Sequence, residues 1–242
     1  KVPADMTYAE WRRQFVDGEG LNNSGANVIM DMYKGQGLDI VFDKDVASGT
    51  INKVQEATKK ITKDFKILEE YSEPVKFGAV NGGLAINVYD PNTGKNQITL
   101  LKSAFVDEKA LLKRLNDDYI SGYSFKTNRI ESLVAHEMGH NAHIALALKR
   151  AGLKYGVPFS NKEEDDLFRG EYKKIMQEIY IAAFTDEDYD SIQQICGEQL
   201  GSMTIENPKE LIAQSFGNYY YGSNKSIVAE KIVKYFQKEL KK

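Results

Sequence analysis

A chain of 242 residues can bury one large core or two modest lobes around a cleft. An apolar fraction of 42% with 14 Tyr and 11 Phe excludes a disordered polar tail, and no stretch nears the roughly 20 apolar residues of a membrane span. The net charge of -3 argues against phosphate and nucleic-acid recognition, and the single cysteine, Cys196, excludes an internal disulfide and so a stapled secreted scaffold.

Residues 1–37 read as an arm or linker, with the amphipathic stretch Tyr8–Val16 followed by Gly- and Asn-rich sequence. Residues 38–242 read as one domain, with a sheet-bearing part over 38–152 and a helical part over 153–242. A helix is expected over 50–71, where Ile51, Val54, Ala57, Ile61, Phe65 and Leu68 keep helical spacing and Pro74 is the stop. Three strand candidates follow, Val75–Val80, Leu84–Tyr89 and Gln97–Leu101, the last two joined by the turn Asp90-Pro91-Asn92-Thr93-Gly94. Asp107 to about Asn116 reads as a short helix. A longer one follows, with Asn128 and Glu131 as a capping box and Gly152 as its stop. Beyond Gly152 the pattern is helical, with Ser160 and Glu163 capping one helix, Thr185 starting another and Asn207-Pro208 a third. The acidic runs Glu163–Asp166 and Asp186–Asp188 read as solvated helix starts favoured by the dipole, calcium binding being the sharper alternative. The class is α+β, a small mixed sheet with a helical lobe.

The strongest chemical signal is His136-Glu137-Met138-Gly139-His140. Two histidines four apart on a helix share a face about 6 Å apart along the axis, so their ring nitrogens can converge on one Zn²⁺. Glu137, one step round the helix, can take a proton from water that the ion activates. His143 lies seven residues after His136, about 10 Å along the axis and too far to join the same ion. Its expected place is beside the site, near the cleft rim, against substrate, or hydrogen-bonded to backbone.

A catalytic zinc site takes three protein ligands and one open position. With histidine exhausted, the third is a carboxylate or Cys196. Glu210 stands out, because Asn207 starts a helix on which Leu211, Ile212 and Phe216 form an apolar stripe and Gln214 lies one turn beyond Glu210. Glu210 can then coordinate while Gln214 orients a ligand. The other reading of Glu210 is a capping-box residue reaching back to Asn207, and Glu206, Glu178 and Asp186 are the remaining carboxylate candidates.

These residues resemble the gluzincin-type zinc peptidases, and more narrowly the group around the catalytic domain of anthrax lethal factor. The resemblance rests on His136-Glu137-x-Gly139-His140 and a later Asn-x-x-Glu-hydrophobic-hydrophobic-Ala segment, here Asn207 to Ala213. It implies a zincin-like fold, with the sheet and metal helix in the N-terminal lobe and a mostly helical C-terminal lobe. It implies Glu210 as third zinc ligand, Gln214 as its support where the family has Glu, and an extended substrate paired with the edge strand just upstream of the metal helix, here Gln97–Leu101. Met203 stands where the family places an oxyanion-steadying Tyr, so that role would be vacant or fall to Tyr219, Tyr220 or Tyr221, whose other reading is packing. The stretch Val2–Trp11 is similar to sequence following the head-morphogenesis domain of phage minor head proteins.

The function expected is therefore zinc-dependent endopeptidase activity on a peptide or protein substrate. The alternatives are a catalytically idle zincin-fold component of a phage or effector, and a helical interaction module with an accidental histidine pair. The opening Lys1-Val2-Pro3, with neither initiator Met nor apolar signal segment, leads to the expectation of a piece of a larger phage or toxin polypeptide. Such a piece would be cytoplasmic or virion-associated, with delivery into a target cell open.

Overall fold

A computed structural model of the chain describes residues 38, 40–41, 43, 45–122, 127–185, 187 and 189–241. The expected arm over 1–37 and the candidate ligand Asp186 lie outside the described residues, as does the side chain of Glu206.

Ile51, Val54, Ala57 and Ile61 are buried on one stripe of helix α1, Ser48–Asp64. The helix stops before its periodicity predicts. Phe65 takes φ -129° and ψ 65°, outside helical space, and sets its ring 5.3 Å from that of Phe216. A 3-10 turn over Lys66–Glu69 then returns Leu68 to the core, so the burial of Phe65 and not Pro74 ends the helix.

The three expected strands form one sheet, β1 (Lys76–Gly78), β2 (Ala85–Asp90) and β3 (Lys95–Leu101), in the order β1-β3-β2. β3 pairs parallel with β1 and antiparallel with β2, with Ala85 opposite Leu100 and Asp90 opposite Lys95. This corrects the expected edge position of Gln97–Leu101, because β3 is central with both its ladders filled and β2 is the edge. The hairpin fills one side of β3 and the parallel pairing with β1 fills the other. The Asn92 amide donates to Asp90 Oδ1 at 2.9 Å and the Gly94 amide to the Asp90 carbonyl at 2.8 Å, which folds β2 back onto β3. Gly94 sits at φ 67°, and a Cβ there would lie 2.2 Å from the Val157 carbonyl, so only glycine fits this tip.

Short α2 (Lys102–Phe105) leads to α3 (Glu108–Ser121), whose cap Asp107 accepts from the amides of Lys109 and Ala110. The central helix α4 spans Ile130–Arg150 and is buried along nearly its whole circumference, as a helix at the middle of a layered fold must be. α1 and β2 pack against it, and so do α5 (Lys162–Phe184), α8 (Pro208–Tyr221) and α9 (Ile227–Lys241). Between α5 and α8 run α6 (Tyr189–Ile195), a π turn over Cys196–Leu200, and α7 (Met203–Glu206).

Three helix ends differ from expectation. Asn128 donates to Asn116 Oδ1 at 3.3 Å, and the cap position of α4 is Arg129 with no side-chain cap bond. α5 starts one residue late, with Asn161 accepting from the Glu164 amide and Glu164 accepting from the Ser160 amide. Thr185 closes α5 instead of opening a helix, its hydroxyl bonded to the Ile181 carbonyl. Only at α5 does a neighbour make the cap bond expected of the residue beside it. Among the described residues no helix is long and apolar enough to cross a membrane.

Candidate metal centre

α4 and α8 cross at unusually close range. A Cβ on Gly139 would lie 2.9 Å from the Ala213 Cα and 3.2 Å from Phe216 Cβ, and one on Gly217 would lie 3.2 Å from the Ser132 carbonyl. The glycine inside the histidine motif therefore lets the backbone of α8 rest against the helix that carries the histidines. Asn207 fixes where α8 begins, its side chain accepting from the Lys209 amide at 3.2 Å with proline at the first helical position. Glu210 then falls in the first turn, facing His136 and His140.

Glu210 Oε2 lies 3.2 Å from His136 Nε2 and 3.8 Å from His140 Nε2. The three ligand atoms all fall within 4.8 Å of one another, the only such cluster among the described residues. Ligands bound tetrahedrally at about 2.0–2.1 Å stand roughly 3.3 Å apart, so one small divalent ion fits between them. Oε2 is buried, yet no donor meets it at hydrogen-bond geometry. A buried carboxylate oxygen in that condition is costly unless a cation completes it, which a protonated His136 or a metal ion between the three groups would do. The His140 side chain keeps 17% exposure and His136 8%, so solvent reaches the centre from the His140 side.

His140 and Glu210 are held in the forms a metal needs, whereas His136 would release a proton as an ion binds. Burial, with His136 beside it, holds His140 down to about 3, as the neutral imidazole a metal needs. Burial also opposes the charged forms of His136 and Glu210, but their mutual contact outweighs it, raising His136 and lowering Glu210. Glu137 is pushed up to about 7 by burial, with the charge of Glu210 adding and that of His136 opposing. The ligand helix is tied to the sheet by a buried amide network. Asn87 Nδ2 donates to the Glu137 carbonyl at 2.9 Å and to Asn141 Oδ1, Asn96 Nδ2 donates to Asn141 Oδ1 at 2.7 Å, and Asn141 Nδ2 to Ser72 Oγ at 2.7 Å.

A cleft of about 560 Å³ opens over the centre, with Glu137, the three candidate ligands, Gly83, Leu84, and Ala85 to Asn87 of the edge strand in its wall. Met203 lines it too, so the position where a Tyr was sought does reach the cleft but carries a thioether with no proton to donate. Tyr219 and Tyr220 do not line it. They border a separate recess, where the Tyr220 hydroxyl donates to Asp64 Oδ2 at 2.7 Å. Tyr219 is nine residues after Glu210, about half a turn away round α8, which points the two to opposite faces. Tyr221 is held under Lys60, 4.5 Å from its ring. The tyrosine that reaches the cleft is Tyr172 of α5, whose phenol is held protonated, up to about 12, by burial and by the charge of Glu210.

His143 is wholly buried and does not reach the rim. Its Nε2 donates to the Tyr172 carbonyl at 2.8 Å and its ring stacks on that of Tyr172 at 3.5 Å, so it backs the cleft wall from behind. Gln214 is buried one turn beyond Glu210, with Nε2 unpartnered among the described residues. Of the other ligand candidates, Glu178 binds Arg150 at 2.9 Å and Tyr235, and Cys196 is buried in the π turn beside Thr204. Sequence reasoning missed Tyr172, Lys209 and the asparagine network. The 168–172–176 stripe of α5 was legible as an apolar face, but nothing along the chain said what it faces.

Compared with known proteins, the chain matches no family model, no curated protein and no solved structure.

Proposed function

We propose that the chain is a zinc-dependent peptidase of gluzincin type, with His136, His140 and Glu210 as ligands and Glu137 as general base. The observation that carries this reading is the convergence of Glu210 on both imidazoles from a helix some seventy residues away. Two imidazoles and one carboxylate at tetrahedral spacing, with one side open, are the donor set of a catalytic zinc site. When bound, the ion supplies Lewis acidity that makes a water nucleophilic at neutral pH and polarises the scissile carbonyl.

The chain's own groups do the rest. The Glu137 carboxylate takes the water's proton and returns it to the leaving nitrogen. Tyr172 donates its phenol hydrogen to the carbonyl oxygen as charge develops there, the part Met203 cannot play. Among the described residues β2 offers an unpaired backbone edge along the cleft, to which an extended substrate adds as a fourth strand, its cleavable bond held over the centre.

Two observations favour the second reading, a zincin-fold phage or effector component without activity. The cleft has a thioether at 203, and among the described residues Gln214 leaves a buried amide nitrogen without an acceptor. Elemental analysis and peptide digestion decide between them. The wild type should carry one zinc and cleave, Glu137→Gln should keep zinc and lose at least about 10³-fold in kcat, and Glu210→Ala should lose the metal. Stoichiometric zinc without cleavage of any peptide favours the idle protein, and cleavage undiminished in Glu137→Gln defeats the assignment of the base.

A further inference from the structure

Beside the metal cleft lies a second recess of about 400 Å³, and we propose that it is the subsite for a large aromatic or apolar side chain of the peptide substrate. The proposal rests on the peptidase reading. The wall is built from three places in the chain: Tyr89 and Pro91 of the β2 hairpin, Phe159 of the loop after α4, and Phe168 and Met176 of α5. The Tyr89 and Phe168 rings stack at 5.0 Å, and Phe159 lies 5.7 Å from the first and 5.6 Å from the second. Three rings in mutual contact would normally close into core. Here all three stay partly exposed round an open recess, apolar surface that a stable fold leaves uncovered where something else covers it.

Its occupant follows from continuity with the cleft. The two share Asn87, Ile144, Tyr172 and Lys209. Ile144 is one helical turn past the ligand His140, so the recess begins about 6 Å along α4 from the centre. Asn87 of the edge strand borders both. A peptide laid along β2 advances about 3.4 Å per residue with alternating side chains, which brings the side chain one or two places from the cleaved bond to the recess. The rim selects against a basic side chain. Asp165 is engaged by Arg169 at 2.8 Å and 2.9 Å, and the other charges there are Lys173 and Lys209. Cations at the rim repel Lys or Arg but are compatible with an aromatic ring.

The test uses the zinc-loaded full chain and acetylated, amidated octapeptides randomised at every position. Products should carry Phe, Tyr, Leu or Met at one position, one or two residues from the cut and always on the same side. Met176→Trp, which fills the recess, should reduce the Phe-over-Ala ratio of kcat/KM at least tenfold, and Phe168→Ala, which removes a wall without adding bulk, should reduce it similarly. Cleavage with no such position, or a preference that neither variant changes, overturns the proposal. Calorimetric titration separates it from the peptidase reading, using Glu137→Gln protein, an alanine heptapeptide with one central Phe, and the all-Ala peptide. The Phe peptide should bind at least tenfold tighter, and Met176→Trp should abolish the difference. Phe-dependent binding without cleavage of any peptide by the wild type would leave the subsite standing and sink the peptidase, whereas equal binding of the two peptides would sink the subsite alone.

Discussion

Glu210, Tyr172 and His143 reach their places by different local means. Glu210 sits in a first turn that Asn207 and Pro208 start, and its carboxylate turns to the imidazoles instead of back to its cap. Tyr172 hangs mid-helix, fixed by the His143 ring stacked on it and by the His143 bond to its own carbonyl. Its only hydrogen available to substrate is the phenol's. Tyr172→Phe therefore keeps the ring packing and the zinc but should lower kcat by about 10²–10³-fold with KM little changed, the scale expected for one oxyanion donor. Steady-state kinetics on a zinc-loaded variant tests this, and an unchanged kcat removes Tyr172 from the chemistry.

At the scale of helices, the centre is only as good as the crossing of α4 and α8. Gly139 is the point of contact, where a methyl group would press on the Ala213 Cα at 2.9 Å. Helix backbone cannot yield as a flexible side chain can, so Gly139→Ala should push α8 outward. The expected loss is about 1–3 kcal/mol of stability, the usual range for overpacking. Zinc affinity should fall with it, because α8 carries Glu210 but not the histidines. Denaturant unfolding with zinc competition measures both, and a destabilised variant with unaltered affinity would show that Glu210 does not depend on this contact. Element-level reading of the chain was good where the signal is periodic and local, as for the three strands, α8 and the length of α4. It failed at caps such as Thr185 and in the order of strands, since β3 becomes central by pairing parallel with β1, a pairing that no turn signal marks.

Across the whole molecule, the proposed metal centre would couple metal, protons and folding. An ion that binds only the folded chain stabilises it by about 2.7 kcal/mol at a hundredfold excess over its Kd. For a domain of this size, chelation should then lower the Tm by roughly 5–10 °C, and a Tm indifferent to chelator would speak against a bound metal. His143 adds a pH term of known sign. Burial lowers its pKa from the ordinary 6.5 to about 3, so below pH 6.5 the unfolded chain takes up a proton that the folded one refuses. That stability is complete above pH 6.5 and drains away as the pH falls towards 3. With chelator present throughout, the advantage of wild type over His143→Gln should shrink by about 1.4 kcal/mol per pH unit between pH 6 and 4. Parallel curves for the two proteins would mean that His143 is not held neutral.

The spacing of His136, Glu137 and His140 needs nothing beyond one helix, which is why their shared face is readable along the chain. The start of α8 at Asn207 is equally local. Whether Glu210 meets those imidazoles is not local, nor is the choice of Tyr172 over Tyr219 and Tyr220, nor the identity of the edge strand. Each depends on which faces of separate elements are pressed together. That is decided by long-range packing, by Gly139 admitting α8 and by β1 pairing parallel with β3 so that β2 is left outermost, and no pattern within a single segment carries it.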